Sequence, residues 1–387
     1  MTDNFQNYIL PTLRKTTSRR LLGHGIFMVD GESWDIQRHL ALPMFQTPVR
    51  KTMVDVFAED ARLMVDILLA TQKSKGKIDF QELVKKYTLN TFGKIGFGVE
   101  LKALHAEEEQ FCSDFDWVEE EMEQRIVNVY RFHTANEWEN RIQRMEKFIK
   151  DMTEKRKGEP LEDKPDLLST LMRTNQDPKV IRDSLMNFFI AGRDTTASLL
   201  TWTFYYLSQH PDVQKKVAQE IKEVLGNSPP TFENIKNLVY LKMVLYETLR
   251  LNPPALPLNQ KMAAQDDVLP NGIKVKAGQV VFFSSYHMHR DPLYWGPDSE
   301  QFLPSRWENN QVAKAKPYIF FPFFRGPRTC LGKEMAIEEA KTAVAILFQN
   351  NIRLRPLPGL KVSQRPFLPI IFSTKEPLWV TVEQANE

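Results

Sequence analysis

The chain has 387 residues, of which 42% are hydrophobic and 26% charged, a composition typical of a globular protein with a sizeable core. Lys and Arg total 51 against 49 for Asp and Glu, and the net charge of +2 gives no general reason to expect nucleic acid as a partner. Two cysteines are too few for a disulfide framework, and polar and basic residues throughout the first thirty positions predict neither a membrane-spanning helix nor a signal peptide there.

Helices dominate the first two thirds of the sequence. From Glu32 to about Gly226, apolar residues recur at three- and four-residue spacing, which predicts a run of helices. The longest predicted helix begins at Pro178 with Asp177 as its N-cap, and apolar residues along it predict that it is largely buried. A further helix is predicted at about Tyr240 to Leu251.

Short strands are predicted after this helical part. Pro253 and Pro254 end helical structure, and two later segments, at about 268–283 and 352–382, combine turns with β-branched and aromatic residues. We therefore predict a mainly α fold with small β-sheets, organised as one domain over residues 1–387 and mostly helical over 1–251.

The segment 320–340, FFPFFRGPRTCLGKEMAIEEA, places Cys330 at the start of a predicted helix. Backbone N–H groups and the helix dipole at that end favour a thiolate, the form that binds a metal. Gly326 and Gly332 allow a flat cofactor to approach the backbone, and Phe323 can shield the sulfur from water. The ordinary alternative for an isolated cysteine is a small buried hydrophobic residue.

The full pattern around Cys330 points to one family. Phe323, Gly326, Arg328, Cys330 and Gly332 satisfy F-x-x-G-x-R-x-C-x-G, which resembles the haem-binding signature of cytochromes P-450. The resemblance implies haem b with its iron ligated by Cys330. It also implies the cytochrome P-450 fold, here lacking that fold's N-terminal anchor and first strands. Phe324 departs from the small or polar residue that the family usually has, which suggests a differently packed loop.

A second motif lies inside the long helix, where Ala191 and Thr195 are four residues apart and share a face. A helical threonine can simply bond the preceding carbonyl, which is the alternative to a catalytic role. The stretch AGRDTT is similar to the family's oxygen-binding element. The resemblance implies that Ala191 lies next to the haem, that Thr195 steadies the oxygen, and that Asp194 relays protons as a general acid.

Charged residues elsewhere complete the resemblance. Glu247 and Arg250 lie one helical turn apart in E-T-L-R, and the resemblance implies a buried network that they form with Arg306. Trp34 and Arg38 share a helical face and resemble the pair that holds one haem propionate, with Arg328 at the other. At position 261, related sequences more often carry arginine; Lys261 keeps the charge without the bidentate fork.

The stretch from Leu21 to Phe45, together with AGRDTTA, is similar to fungal membrane-bound hydroxylases of alkanes and fatty acids. The resemblance implies a monooxygenase that inserts one oxygen atom into a C–H bond of a fatty acid, alkane or secondary-metabolite intermediate. It implies electrons from NADPH through a flavin reductase at the cytosolic face of the endoplasmic reticulum. The competing hypothesis is a truncated, non-catalytic remnant or haem-binding scaffold.

Contacts with these partners can be assigned to particular residues. Arg325 and Lys333 are the candidates for meeting the acidic face of the reductase, with an ordinary solvated surface as the alternative. Substrate contacts are expected from Phe188 and Phe189 and from the loop Phe367 to Ile370, although an apolar pocket also fits plain core packing.

Overall fold

The computed structural model describes residues 4–105, 110–127, 131–162, 164–174, 177–255, 258–310, 318–360, 362, 374 and 376–384. Helices predominate within these residues, as predicted. The α-helices are α1 (Thr12–Leu22), α2 (Gly31–Ala41), α3 (Thr47–Lys73), α4 (Phe80–Phe92), α5 (Gln110–Val127), α6 (Ala135–Arg156), α7 (Leu167–Arg173), α8 (Pro178–Gln209), α9 (Pro211–Val224), α10 (Val239–Leu251), α11 (Ser285–Met288), α12 (Pro292–Trp295) and α13 (Lys333–Gln349).

The strands are short and antiparallel, which confirms the predicted small sheets. They are β1 (Tyr8–Ile9), β2 (Ile78–Asp79), β3 (Leu258–Ala263), β4 (Asp267–Val268), β5 (Lys274–Val275), β6 (Val280–Ser284), β7 (Ile352–Pro356) and β8 (Trp379–Gln384). Their order is β1-β3-β6 in one sheet and β2-β8-β7 in another, with β4 and β5 forming a hairpin. In the first sheet, Tyr8 is opposite Ala263 and Lys261 is opposite Val281.

The long helix α8 is the centre of the core, and its predicted start is confirmed. The Asp177 carboxylate accepts a hydrogen bond from the Lys179 N–H at 2.7 Å, which satisfies a backbone donor of the first turn. Most residues of α8 are buried, and it contacts α4, α10 and α13. This position makes α8 one wall of any site built between it and the loop that precedes α13.

The predicted ion-pair network joins α10 to the segment after α12. Both oxygens of Glu247 accept hydrogen bonds from Arg250, at 2.8 and 2.9 Å, and both side chains are completely buried. Arg306 lies 3.4 Å from Glu247, and the indole N–H of Trp307 donates to the same carboxylate at 3.0 Å. Arg250 also donates to the carbonyl of His289 at 2.8 Å. The network therefore fixes three chain segments to one another behind the cysteine loop.

In the part of the chain that the structure describes, none of the helices combines the length and the apolar character needed to cross a membrane. Part of the predicted strand segment at about 352–382, namely residues 361, 363–373 and 375, lies outside the described residues.

Candidate active site around Cys330

A cavity of about 320 Å³ lies between α8, α2, the cysteine loop and the first sheet. Its wall contains most of the residues that the sequence singled out, namely Trp34, Arg38, Ala191, Thr195, Lys261, Phe323, Arg328, Cys330 and Gly332. Of the predicted haem-binding and catalytic residues, Gly326 and Asp194 are not part of the wall. Residues distributed over some three hundred positions of sequence therefore meet around one thiol.

The loop that carries Cys330 is held by its own backbone. The Cys330 N–H donates to the carbonyl of Phe323 at 2.9 Å, and the Thr329 N–H donates to the carbonyl of Gly326 at 3.0 Å. Gly326 has a φ of +75°, which glycine adopts without steric cost. Its contribution is thus to the turn rather than to the cavity wall.

Phe324 is the residue of this loop that departs from the usual pattern, and its conformation is unusual. It has a φ of +59°, a left-handed conformation that is unfavourable for a bulky side chain. The small residue expected here would adopt this φ at lower cost. Phe324 also lines the cavity, so its ring reduces the space beside the thiol.

Opposing effects act on the pKa of the Cys330 thiol. Its thiol faces the cavity and is otherwise packed in protein, and burial raises its pKa. A hydrogen bond from the Gly332 N–H and the positive charge of Arg38 oppose this shift without reversing it. The N–H at the start of α13 thus acts in the predicted direction, in favour of the thiolate, but desolvation has the larger effect on the pKa of Cys330. A bound metal cation is the partner that favours the thiolate at such a site.

Two guanidinium groups and an indole ring form one edge of the cavity. The Arg328 guanidinium lies 4.7 Å from the centre of the Trp34 ring, and that of Arg38 lies 5.8 Å from it. Arg38 donates to the carbonyl of Thr329 at 2.8 Å, and Arg328 is paired with Asp30 at 3.0 Å. With Lys261 and Arg325, they give the cavity four cationic side chains against a mainly apolar wall, which favours an apolar ligand with anionic groups.

This arrangement fits haem. The group is a flat apolar ring with two carboxylates and an iron that accepts a thiolate, and the cavity offers a thiol, apolar walls and cations.

On α8, Ala191 and Thr195 line the cavity together, as their spacing predicted. The Thr195 hydroxyl donates to the carbonyl of Ala191 at 2.7 Å. This is the backbone hydrogen bond that a helical threonine can make without any catalytic role. Asp194 points elsewhere. It is buried on the side of α8 that faces α5, where Arg193 donates to it at 2.8 Å.

The same geometry corrects one substrate prediction. Phe188 lines the cavity, but Phe189 does not; it is completely buried against Phe115 and Phe97 at ring distances of 4.6 and 5.3 Å. Consecutive helical residues point about 100° apart, and here Phe188 points toward the cavity while Phe189 points into the core. The loop Phe367 to Ile370 lies outside the described residues.

The sequence reasoning missed several residues. Phe5, Tyr8 and Leu10 line the cavity from the N-terminal segment, which had no recognisable motif. Gly192 allows α8 to lie directly against Phe92. Arg193 is completely buried among carboxylates, and the signal for it was present, since a charged residue stands inside an otherwise apolar helix.

Comparisons with known proteins agree on one family. A family model described as "Cytochrome P450" matches residues 2–378. A cytochrome P450 of Arthroderma benhamiae is 31% identical over 96% of this chain and 79% of its own length. Cytochrome P450 52-M1 of Starmerella bombicola is 30% identical over 90% of this chain and 72% of its own. Cytochrome P450 704B1 of Arabidopsis thaliana is 33% identical over 89% and 77%.

A solved structure has the same fold. The crystal structure of the cytochrome P450DA heme domain superposes with a TM-score of 0.86, covering 98% of this chain and 83% of its own, at 23% identity.

Proposed function

The chain belongs to the cytochrome P450 family and is a haem-thiolate monooxygenase, and we propose that it hydroxylates C–H bonds of fatty acids, alkanes or apolar secondary-metabolite intermediates. The apolar character of the cavity wall beside Cys330 supports this choice of substrate. The apolar part of this wall includes Leu10, Leu22, Ile26, Phe27, Phe188, Leu199 and Leu249. Such a surface favours the transfer of hydrocarbon out of water.

Haem, when bound, supplies the iron centre that activates O2. We assign Cys330 as its ligand, with Trp34, Arg38, Arg328 and Lys261 at the propionates. Phe323, Gly332 and Ala191 would contact the ring, and Gly326 would shape the loop. Charge-assisted bonds from arginine to carboxylate are stronger than neutral ones, which supports the role of Arg38 and Arg328.

The proposed catalytic residues are Thr195 and Asp194. Thr195 lines the cavity, and its hydroxyl, which donates to the Ala191 carbonyl, can steady oxygen there by accepting a hydrogen bond, while Asp194 supplies protons from the far side of α8. A proton donor is useful because reduction of O2 consumes protons at the reacting oxygen.

A family member needs a redox partner, and we propose an NADPH-dependent flavin reductase. Arg325 is exposed and Lys333 is partly exposed, so both are available to an acidic surface. The proposed location is the cytosolic face of the endoplasmic reticulum, by similarity to the fungal hydroxylases.

The first experiment measures the absorbance of the reduced protein with carbon monoxide. A red-shifted thiolate-type Soret band is expected, and Cys330→Ser should lose that band. Dodecanoic acid and dodecane are then tested for a spectral shift on binding and for hydroxylated product with NADPH and a flavin reductase. A normal Soret band with neither binding nor product from either compound would contradict the substrate proposal. Turnover with a ferredoxin but not with the flavin reductase would contradict the partner.

A further inference from the structure

His289 is a completely buried imidazole to which the proposed function gives no role. It follows α11 directly in the chain. Its Nε2 accepts a hydrogen bond from the backbone N–H of Phe321 at 3.0 Å. The centre of its ring lies 5.1 Å from that of Phe321 and 5.2 Å from that of Phe320. The side chain of His289 therefore contacts the segment that leads to Cys330 at the point where that segment begins.

The surroundings of His289 keep its ring able to accept this hydrogen bond. Burial, helped by the nearby positive charge of Arg250, lowers the pKa of His289 from the ordinary 6.5 to about 3. The imidazole is thus neutral at neutral pH, and a neutral ring has one nitrogen that accepts. A protonated ring would offer two donors and no acceptor to the Phe321 N–H.

Two further backbone hydrogen bonds connect this contact to Cys330. The Phe324 N–H donates to the carbonyl of Phe321 at 3.0 Å, which closes a four-residue turn. Pro322 is in the second position of this turn, where proline is favoured. The carbonyl of Phe323, also within the turn, accepts the N–H of Cys330 at 2.9 Å. The orientation of the turn 321–324 therefore sets the position of the cysteine backbone.

The turn also contains the strained residue of the loop. Phe324 has a φ of +59°, and such strain persists only where surrounding contacts fix the chain. His289 supplies a contact at the first residue of the turn and is itself held in place. Its carbonyl accepts a hydrogen bond from Arg250 at 2.8 Å, and Arg250 is paired with Glu247 at 2.8 Å. The buried ion pair is thus connected to the cysteine loop through this imidazole.

We propose that His289 is a positioning residue that anchors the turn 321–324 and so keeps the Cys330 thiol directed into the cavity, where it can ligate haem. This inference rests on the proposed role of Cys330 as the iron ligand. His289 is not part of the cavity wall, so it acts through the backbone of the turn and not by contact with haem or substrate.

The test replaces His289 by leucine and by glutamine in the haem-containing protein. Leucine is similar in size but cannot accept a hydrogen bond, whereas the glutamine side-chain carbonyl can accept the Phe321 N–H. His287, an exposed histidine on α11, provides the control variants His287→Leu and His287→Gln. Three quantities are measured: the amide hydrogen exchange of segment 320–332, the rate of haem transfer to excess apomyoglobin, and the thiolate-type Soret band with carbon monoxide.

His289→Leu should increase amide exchange in segment 320–332 and speed haem transfer by about 10-fold, the size of effect expected for one lost hydrogen bond. The fraction of the protein that shows the thiolate-type Soret band should fall. His289→Gln should recover part of all three losses, because the Phe321 N–H regains an acceptor. Both His287 variants should match the unaltered protein.

The other outcomes would overturn the inference or a defined part of it. Equal losses in His289→Leu and His289→Gln would overturn the hydrogen bond as the anchor and leave His289 with core packing alone. Faster exchange spread over the whole chain would do the same. Faster exchange of segment 320–332 with unchanged haem transfer would overturn the connection to Cys330. Failure of the unaltered protein to bind haem would contradict the proposed function, and the exchange comparison would still decide whether His289 holds the turn.

Discussion

Phe92 fills the space beside Gly192 that any other residue at this position would need. A Cβ added to Gly192 would lie 2.2 Å from Phe92 Cδ2, far closer than two carbon atoms can approach. Gly192→Ala should therefore push α8 away from α4 and destabilise the fold by about 1–3 kcal/mol, the usual cost of overpacking a core. The measurement is the free energy of unfolding in urea.

A matched pair of variants tests this reason. At Gly158 a Cβ would have its nearest neighbour at 3.8 Å, so Gly158→Ala should have little effect. Adding Phe92→Leu to Gly192→Ala should recover part of the lost stability, because it removes the ring that causes the clash. If the double variant lost as much stability as the two single variants lose together, contact with Phe92 would not be the cause.

Thr195 offers a test of the proposed oxygen chemistry. Thr195→Ala removes the hydroxyl from the cavity wall, and product formation should fall by roughly 10²-fold while NADPH consumption falls much less, since protons and oxygen are no longer held in place. The balance of NADPH consumed, peroxide released and product formed is the measurement. Thr195→Ser keeps the hydroxyl and should remain close to the unaltered protein. Unchanged peroxide yield in Thr195→Ala would argue against the assignment.

The buried network around Glu247 predicts a large effect on stability. Glu247→Ala would leave Arg250 and the Trp307 indole N–H without their buried acceptor, and breaking a buried ion pair typically costs ~3–5 kcal/mol. Asp151→Ala is the control because Asp151 pairs with Lys147 on the surface, where such a pair contributes ~0–1 kcal/mol. Chemical denaturation measures both. Equal effects in the two variants would contradict a special role for the network.

Sequence patterns predicted the parts of this site that are formed by one continuous segment of the chain. The cysteine loop and the start of α8 are short continuous segments, so their residue types alone specified them. The directions of Phe189 and Asp194 were beyond reach, because helical spacing gives the angle between side chains but not which neighbour each one meets. The contact of Gly192 with Phe92 joins distant segments and leaves no local signal. The two-residue strand β1 is likewise too short to show a periodicity.

Glu339 on α13 should make the stability of the protein depend on pH. Its carboxyl group is buried, accepts a hydrogen bond from Thr91 at 2.7 Å, and has its pKa raised by burial from the ordinary 4.5 to about 8. The folded protein thus holds this proton more tightly than the unfolded chain does. Stability from this group is fully present below pH 4.5, declines as the pH rises toward 8, and changes no further above it.

Glu339→Gln remains neutral at every pH and should remove that decline. Glu334→Gln, at an exposed position of the same helix, should not. The measurement is the free energy of unfolding from pH 5 to about pH 8, over which the linkage acts. If the difference between Glu339→Gln and the unaltered protein stayed constant across this range, Glu339 would not be the titrating group.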